Sequence, residues 1–81
     1  MKLKNVKCTC RACPSQWEAT TEDNKPVYIR YRWGYLSIRE GEIGGDVWSA
    51  VDGNEIYGSQ LGEDLDGVIS WDKVNSIVEG I

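Results

Sequence analysis

Hydrophobic and polar residues alternate along most of the first two thirds of the chain, as they do in strands that bury one face. The alternation is strongest from Val27 to Trp33, where β-branched and aromatic residues occupy nearly every position. Gly34 then reverses the chain, and the alternation resumes from Tyr35 to Glu40. The pattern therefore predicts a central β-hairpin over residues 27–40.

Weaker strand patterns lie on both sides of this hairpin. They cover residues 3–8, 17–21, 47–51 and 55–57. The last two are separated by Asp52 and Gly53, a pair typical of tight hairpin turns. Short connections of this kind favour a sheet whose neighbouring strands are mostly antiparallel.

Helical spacing is found only at the end of the chain. Ser70 is a candidate N-cap and Gly80 a candidate terminator. The apolar residues between them, Trp71, Val74, Ile77 and Val78, fall on one helical face. We therefore expect an α+β fold, a small mostly antiparallel β-sheet with one C-terminal α-helix, in a single small globular domain over residues 1–81.

The two faces of the central hairpin differ sharply in chemistry, because successive side chains of a strand point to opposite faces. One face is apolar and carries Val27, Ile29, Tyr31, Trp33, Leu36 and Ile38. The other face carries cations and aromatic rings, Tyr28, Arg30, Arg32, Tyr35 and Arg39. A turn at Trp33-Gly34 places Arg32 opposite Tyr35, whereas a turn at Gly34-Tyr35 places it opposite Ser37. Leu36 and Ile38 stay on the Tyr31 face in both registers.

Guanidinium groups beside aromatic rings suit a ligand that is both anionic and flat. The first hypothesis is thus a non-catalytic protein that binds a small nucleotide-like anion through Tyr28, Arg30, Arg32, Tyr35 and Arg39. The alternative for the same residues is an intramolecular surface, in which the arginines lie over the tyrosines and pair with acidic residues of the C-terminal half.

Charge is distributed unevenly along the chain. Residues 1–39 hold eight Lys or Arg and three Asp or Glu, whereas residues 40–81 hold one Lys and ten acids. The second hypothesis is therefore a protein inhibitor that caps a basic host protein through Asp46, Asp52, Glu55, Glu63, Asp64 and Asp66. Nonspecific nucleic-acid binding is not expected of a chain with a net charge of −4.

Two stretches imitate metal sites but lack ligands. Cys8, Cys10 and Cys13 are weak zinc candidates, since a structural zinc takes four ligands and the chain has no histidine. A zinc-linked adaptor is the third hypothesis. Residues 62–73 imitate a calcium loop, but Gly62 and Lys73 stand where that loop needs acids. No cofactor is expected.

An enzyme is not expected either, because without histidine a nucleophilic Cys13 or Ser15 lacks its usual base. The chain shows no signal-peptide core and no apolar run approaching a membrane span, so a cytoplasmic location is expected. So short a chain has a thin stability margin, and a homo-oligomer is one remedy.

The residues Cys13-Pro14-Ser15-Gln16-Trp17 and Tyr28-Ile29-Arg30-Tyr31-Arg32-Trp33-Gly34 carry a resemblance. Over residues 8–40 the chain resembles a group of small uncharacterised bacterial and phage proteins with a CPSQW and YRYRWG pattern. That group has no assigned function, so the resemblance implies no active site. It implies a phage or mobile-element setting, where small domains often counter host defence by capping a protein or by sequestering a nucleotide signal.

Overall fold

The computed structural model describes residues 1–10, 15–62 and 68–81. These residues form a β-rich fold with a radius of gyration of 11.7 Å. Its elements are β1 (Leu3–Cys10), β2 (Ser15–Thr21), β3 (Pro26–Arg32), β4 (Tyr35–Glu40), α1 (Val47–Val51), β5 (Asn54–Gln60) and α2 (Trp71–Glu79). The strands make one antiparallel sheet in the order β1-β2-β3-β4-β5. The predicted α+β class is confirmed.

The core lies between one face of this sheet and α2. The central strands contribute Trp17, Ala19, Val27, Ile29, Tyr31, Leu36 and Ile38, all of them buried. From α2, Val74 and Val78 pack into the same cluster. The rings of Trp17 and Trp71 meet with their centroids 5.6 Å apart, which attaches the first turn of α2 to β2.

The C-terminal helix agrees with its sequence signals. The Ser70 side chain accepts a hydrogen bond from the backbone N–H of Lys73, and Gly80 ends the helix. Val74 and Val78 are fully buried, while Trp71 and Ile77 are partly buried against the core. Neither helix of the described residues has the length and apolar character needed to cross a membrane.

The strand predicted at residues 47–51 is wrong, because this segment forms the helix α1. The Asp46 carboxylate caps it by accepting from the backbone N–H of Ser49 at 3.2 Å. A Cβ on Gly41 would lie 2.1 Å from the Ser49 hydroxyl oxygen, so the preceding loop packs directly against the helix. α1 lies over β3 and β4 on the face opposite α2, where Val51 reaches the outer side of the hairpin.

The pairing of β5 explains why a strand at 47–51 is excluded. β5 pairs directly with β4, and Asn54 lies opposite Glu40, so residues 41–53 leave the sheet and return to its edge. Asp52 consequently ends α1 instead of forming a hairpin turn with Gly53. A Cβ on Gly53 would come within 2.0 Å of the Glu40 carbonyl oxygen, and glycine permits this close return.

The register of the central hairpin is the first of the two predicted ones. Tyr28 pairs with Arg39, Arg30 with Ser37 and Arg32 with Tyr35. The turn is therefore Trp33-Gly34, with φ values of 58° and 71° that correspond to a type I′ turn. The expectation that Trp33 joins the core face is wrong. Trp33 occupies the turn, and 56% of its surface is exposed, because the alternation stops where the chain reverses.

Candidate functional site

The outer face of the hairpin, opposite the α2 side, forms the floor of an open cleft of about 640 Å³. It is lined by Tyr28, Arg30, Arg32, Trp33, Tyr35, Ser37, Arg39, Val51 and Glu55. The five residues expected to bind an anionic ligand all lie on this cleft. The sheet brings them together because β3 and β4 present every second residue to the same side.

The three cross-strand pairs of the hairpin set the layout of the floor. Along each strand, residues of one face repeat every ~6.8 Å, twice the rise of an antiparallel residue. Arg30 and Arg32 are one such step apart on β3, and Arg39 lies on β4 at the end nearer α1. The cleft thus offers three guanidinium groups at different positions along one floor.

Arg30 occupies the middle of the floor, and its environment is unusual. Its Nε is buried and has no hydrogen-bond partner among the described residues. Ion pairs between described residues join Lys25 to Asp23 and to Glu40 and involve none of the three arginines. The alternative expectation, that these arginines pair with the acidic half, is therefore not met by any described carboxylate.

The other two guanidinium groups are held by neighbours at the two ends of the cleft. The Arg32 guanidinium carbon lies 4.9 Å from the ring centroid of Trp33, a cation–π contact at the hairpin tip. At the opposite end, Arg39 Nη1 donates to the Gly53 carbonyl oxygen at 3.3 Å. Each of these contacts leaves other N–H groups of the guanidinium open to a ligand, since arginine has five N–H donors.

A carboxylate stands at the β5 side of the same cleft. Glu55 accepts a hydrogen bond from the Tyr35 hydroxyl at 3.1 Å and another from the Ser37 hydroxyl at 2.7 Å. Burial, together with this hydrogen bond and the charge of Glu55, raises the pKa of Tyr35. Tyr35 therefore stays a neutral hydrogen-bond donor, and both hydroxyl groups orient the carboxylate.

Gly58 creates the space for this arrangement. A Cβ at residue 58 would lie 2.0 Å from the Tyr35 hydroxyl oxygen and 2.8 Å from Glu55 Oε2. Gly58 is the cross-strand partner of Ser37, so it lies directly beneath the three hydrogen-bonded side chains. A side chain at this position would displace the Tyr35 ring from Glu55.

On the β2 side, the floor continues through Tyr28. Its hydroxyl donates to Gln16 Oε1 at 3.0 Å, and Gln16 lies opposite Arg30 in the pairing of β2 with β3. This hydrogen bond holds the Tyr28 hydroxyl on the β2 side of the cleft. Tyr28 thereby contributes an aromatic ring to the cleft lining beside Arg30.

Sequence reasoning missed four contributors to the cleft, namely Trp33, Val51, Glu55 and Gly58. Trp33 could have been placed by the type I′ turn, which takes residues 33 and 34 out of the strand alternation. Glu55 was assigned to the acidic surface instead. Its true position depends on an irregularity in the β4–β5 pairing between Ile38 and Arg39, for which the sequence carries no signal.

Among the acidic residues proposed to cap a basic host protein, those that the structure describes occupy different places in the fold. Asp46 caps α1, Asp52 lies at the end of α1, and Glu55 belongs to the cleft. Glu63, Asp64 and Asp66 fall outside the described residues. The three described acids thus lie at the two ends of α1 and in the cleft.

The cysteine motif and the calcium-like stretch lie partly outside the described residues. Cys8 and Cys10 lie on β1, whereas Cys13 is not among the described residues. Within residues 1–10, 15–62 and 68–81, no three Cys, Asp or Glu side chains gather in a way that could hold a metal ion. The calcium-like stretch 62–73 includes residues 63–67, which also lie outside the described ranges.

Comparisons of the chain with protein-family models, with curated proteins and with solved structures find no match. Function is therefore inferred from the chemistry of the cleft.

Proposed function

We propose that the protein is a non-catalytic binding protein whose cleft captures a small anionic ligand carrying a flat ring, as a nucleotide does. The observation that carries this proposal is the Arg30 Nε, which is buried and has no partner among the described residues. A buried polar donor left without a partner costs about 1–3 kcal/mol, and more when its group is charged. A phosphate oxygen would satisfy this donor once the Arg30 side chain turns it toward the cleft.

The aromatic residues of the cleft supply the second half of the recognition. Tyr28, Trp33 and Tyr35 border the three arginines, and Trp33 and Tyr35 expose 56% and 38% of their surface. Rings stack on the faces of nucleobases, whereas guanidinium forks pair with phosphate oxygens. One ligand with both parts makes use of both sets of side chains.

The size of the cleft favours a small molecule over a polymer. Its volume of about 640 Å³ falls within the range of about 300–1,000 Å³ common for small-ligand sites. Three of the nine Lys and Arg residues line this cleft, and the net charge of −4 repels a long polyanion. The ligand class that fits is a mononucleotide or another anion of that size.

A single substitution tests the role of Arg30. Arg30→Met keeps a long apolar stem over the sheet and removes the guanidinium group. Lys73→Met is the matched control, because it removes one positive charge from the exposed side of α2, on the other face of the sheet. The probes are inorganic phosphate and the monophosphates of guanosine, adenosine and cytidine, with binding followed by calorimetry.

We expect the native protein to bind at least one nucleotide more tightly than inorganic phosphate. Arg30→Met should weaken that binding by about tenfold or more, the usual cost of losing a charge-assisted contact, and Lys73→Met should leave it unchanged. Equal affinities in the native protein and Arg30→Met would contradict the proposal, as would the absence of binding by every probe.

Capture without turnover is the form of this function that suits a counter-defence protein in the cytoplasm of an infected cell. A nucleotide recovered from the denatured complex should be chemically unchanged. Mass spectrometry of the released nucleotide measures its mass. Native mass spectrometry of the intact complex reports the number of subunits that hold one ligand. A product of altered mass would show that the protein is an enzyme.

A further inference from the structure

The arginines of the cleft account for an anionic ligand, but they do not account for the carboxylate at its β5 side. Glu55 is close enough to the arginines to share the cleft, yet it forms no ion pair with any of them. Even Arg39, which is opposite Glu55 in the strand register, directs its Nη1 to the Gly53 carbonyl. The cleft therefore has a cationic side and a separate anionic side.

The distance between these two sides is set by the sheet. Arg30 lies on β3 and Glu55 on β5, with β4 between them. Neighbouring strands are about 4.8 Å apart, so the two backbones are separated by about 10 Å. The Glu55 carboxylate itself lies nearer the arginines, over β4, because it is hydrogen-bonded to Ser37 and Tyr35, the cross-strand partners of Arg30 and Arg32.

Glu55 retains hydrogen-bonding capacity toward a ligand. A carboxylate has about four acceptor positions, two on each oxygen. The Ser37 hydroxyl occupies one position on Oε1 and the Tyr35 hydroxyl one on Oε2. Each oxygen can thus accept one further hydrogen bond, and the two hydroxyl groups keep both oxygens in place. A pair of neighbouring N–H donors matches the remaining positions.

We infer that the ligand is a nucleotide of the guanine type, whose ring N–H and exocyclic amino group donate together to Glu55 while its phosphate meets Arg30 and Arg32. This inference rests on the proposed function and specifies its ligand. Adenine presents a ring-nitrogen acceptor beside its amino group, and that lone pair would face the carboxylate. Cytosine offers the carboxylate a single amino group.

The test compares three purine nucleotides that differ in their donors. Guanosine monophosphate has both donors, inosine monophosphate has only the ring N–H, and adenosine monophosphate has an amino group beside an acceptor. We expect affinity to fall in that order, with guanosine about tenfold or more above adenosine, the discrimination given by a good bidentate contact. Calorimetry or quenching of the tryptophan fluorescence reports each affinity.

Glu55→Gln probes the carboxylate itself, since the amide keeps its shape but replaces an acceptor with a donor. We expect it to abolish the preference for guanosine without weakening adenosine monophosphate, because a glutamine amide can accept from the adenine amino group and donate to the ring nitrogen beside it. Glu79→Gln, an exposed carboxylate on α2, is the control and should keep the preference. Circular dichroism establishes that both variants are folded.

The outcomes separate this inference from the proposed function. Equal binding of all three purine nucleotides, still dependent on Arg30, would overturn the guanine assignment and leave the anion-binding function intact. Binding of none of them would overturn both. The comparison of the three nucleotides on the native protein needs no variant, so it decides the assignment even if Glu55→Gln fails to fold.

Discussion

The two faces of the β3–β4 hairpin share one backbone and have opposite physical properties. On the α2 side, Val27, Ile29, Leu36 and Ile38 are completely buried. On the cleft side, polar and aromatic side chains remain partly exposed, and one guanidinium nitrogen is buried without a partner among the described residues. The first face is arranged as a protein core is, with apolar side chains in mutual contact.

This difference shows which face is shaped by stability and which by something else. A surface that served stability alone would not leave the Arg30 Nε buried without a hydrogen bond, because burying an unpaired polar group is unfavourable. Groups held at such a cost are common at binding sites, where a ligand supplies the missing partner. Truncating a core side chain should accordingly lower stability, whereas replacing Arg30 should raise it.

The largest effect is expected on the core face. Ile29→Ala removes a fully buried side chain from the central strand, and we expect the free energy of unfolding to fall by about 3–4 kcal/mol, from the lost burial and the cavity left behind. Urea denaturation followed by circular dichroism measures this change. Tyr28→Phe, one residue away on the other face, is the control and should change it by less than about 1 kcal/mol. A similar fall in the free energy of unfolding in both variants would contradict the conclusion that only one face of the hairpin belongs to the core.

The sequence allowed this division to be predicted because strand alternation has a period of two and the apolar positions are unbroken. Val27, Ile29 and Leu36 belong to the core face in either turn register, so even an uncertain turn did not affect them. The C-terminal helix was predictable for a similar reason, since Ser70 and Gly80 mark its ends and its apolar residues recur at helical spacing.

The parts that could not be predicted depend on contacts distant in sequence. The five residues of α1 are too few for periodicity to distinguish helix from strand, and the deciding facts are the Asp46 cap and the pairing of β5 with β4. Glu55 enters the cleft only through an irregular pairing beside Ile38. The arginines were therefore predicted to share a face, whereas the carboxylate that completes the cleft was not.

A second prediction concerns the cleft face. Arg30→Met removes a charged group whose Nε is buried without a partner among the described residues. We expect the unliganded protein to gain about 1 kcal/mol of stability, since the desolvation cost disappears and the apolar stem remains. Chemical denaturation measures the gain, with Lys73→Met as the charge-matched control. A destabilisation above about 1 kcal/mol would mean that Arg30 has a structural role.

A substitution at the hairpin tip should change stability by a smaller amount, and it also tests whether stability and ligand binding make opposite demands on this residue. Trp33 has a positive φ, which a bulky residue adopts at a cost, whereas asparagine is favoured before glycine in a type I′ turn. We expect Trp33→Asn to raise stability by up to about 1 kcal/mol, partly offset by loss of the contact with Arg32. Nucleotide affinity should fall in the same variant. Unchanged affinity would remove Trp33 from the binding surface.

The smallest expected effect is a pH dependence of folding stability, caused by Tyr35 at the β5 side of the cleft. The pKa of Tyr35 is raised, so the folded state holds this proton more tightly than the unfolded state does. The corresponding contribution to stability is complete below the ordinary tyrosine pKa of about 10 and is lost as pH rises from there through the raised value.

Tyr35→Phe isolates this contribution from the titration of the other tyrosines. The difference in unfolding free energy between the native protein and the variant should shrink as pH rises above about 10. Denaturation series at several alkaline pH values measure the difference, and ultraviolet absorbance follows the tyrosinate directly. A difference that stays constant with pH would show that the hydrogen bond to Glu55 does not bias the Tyr35 proton, and the carboxylate would lose one of the two groups that hold it in place.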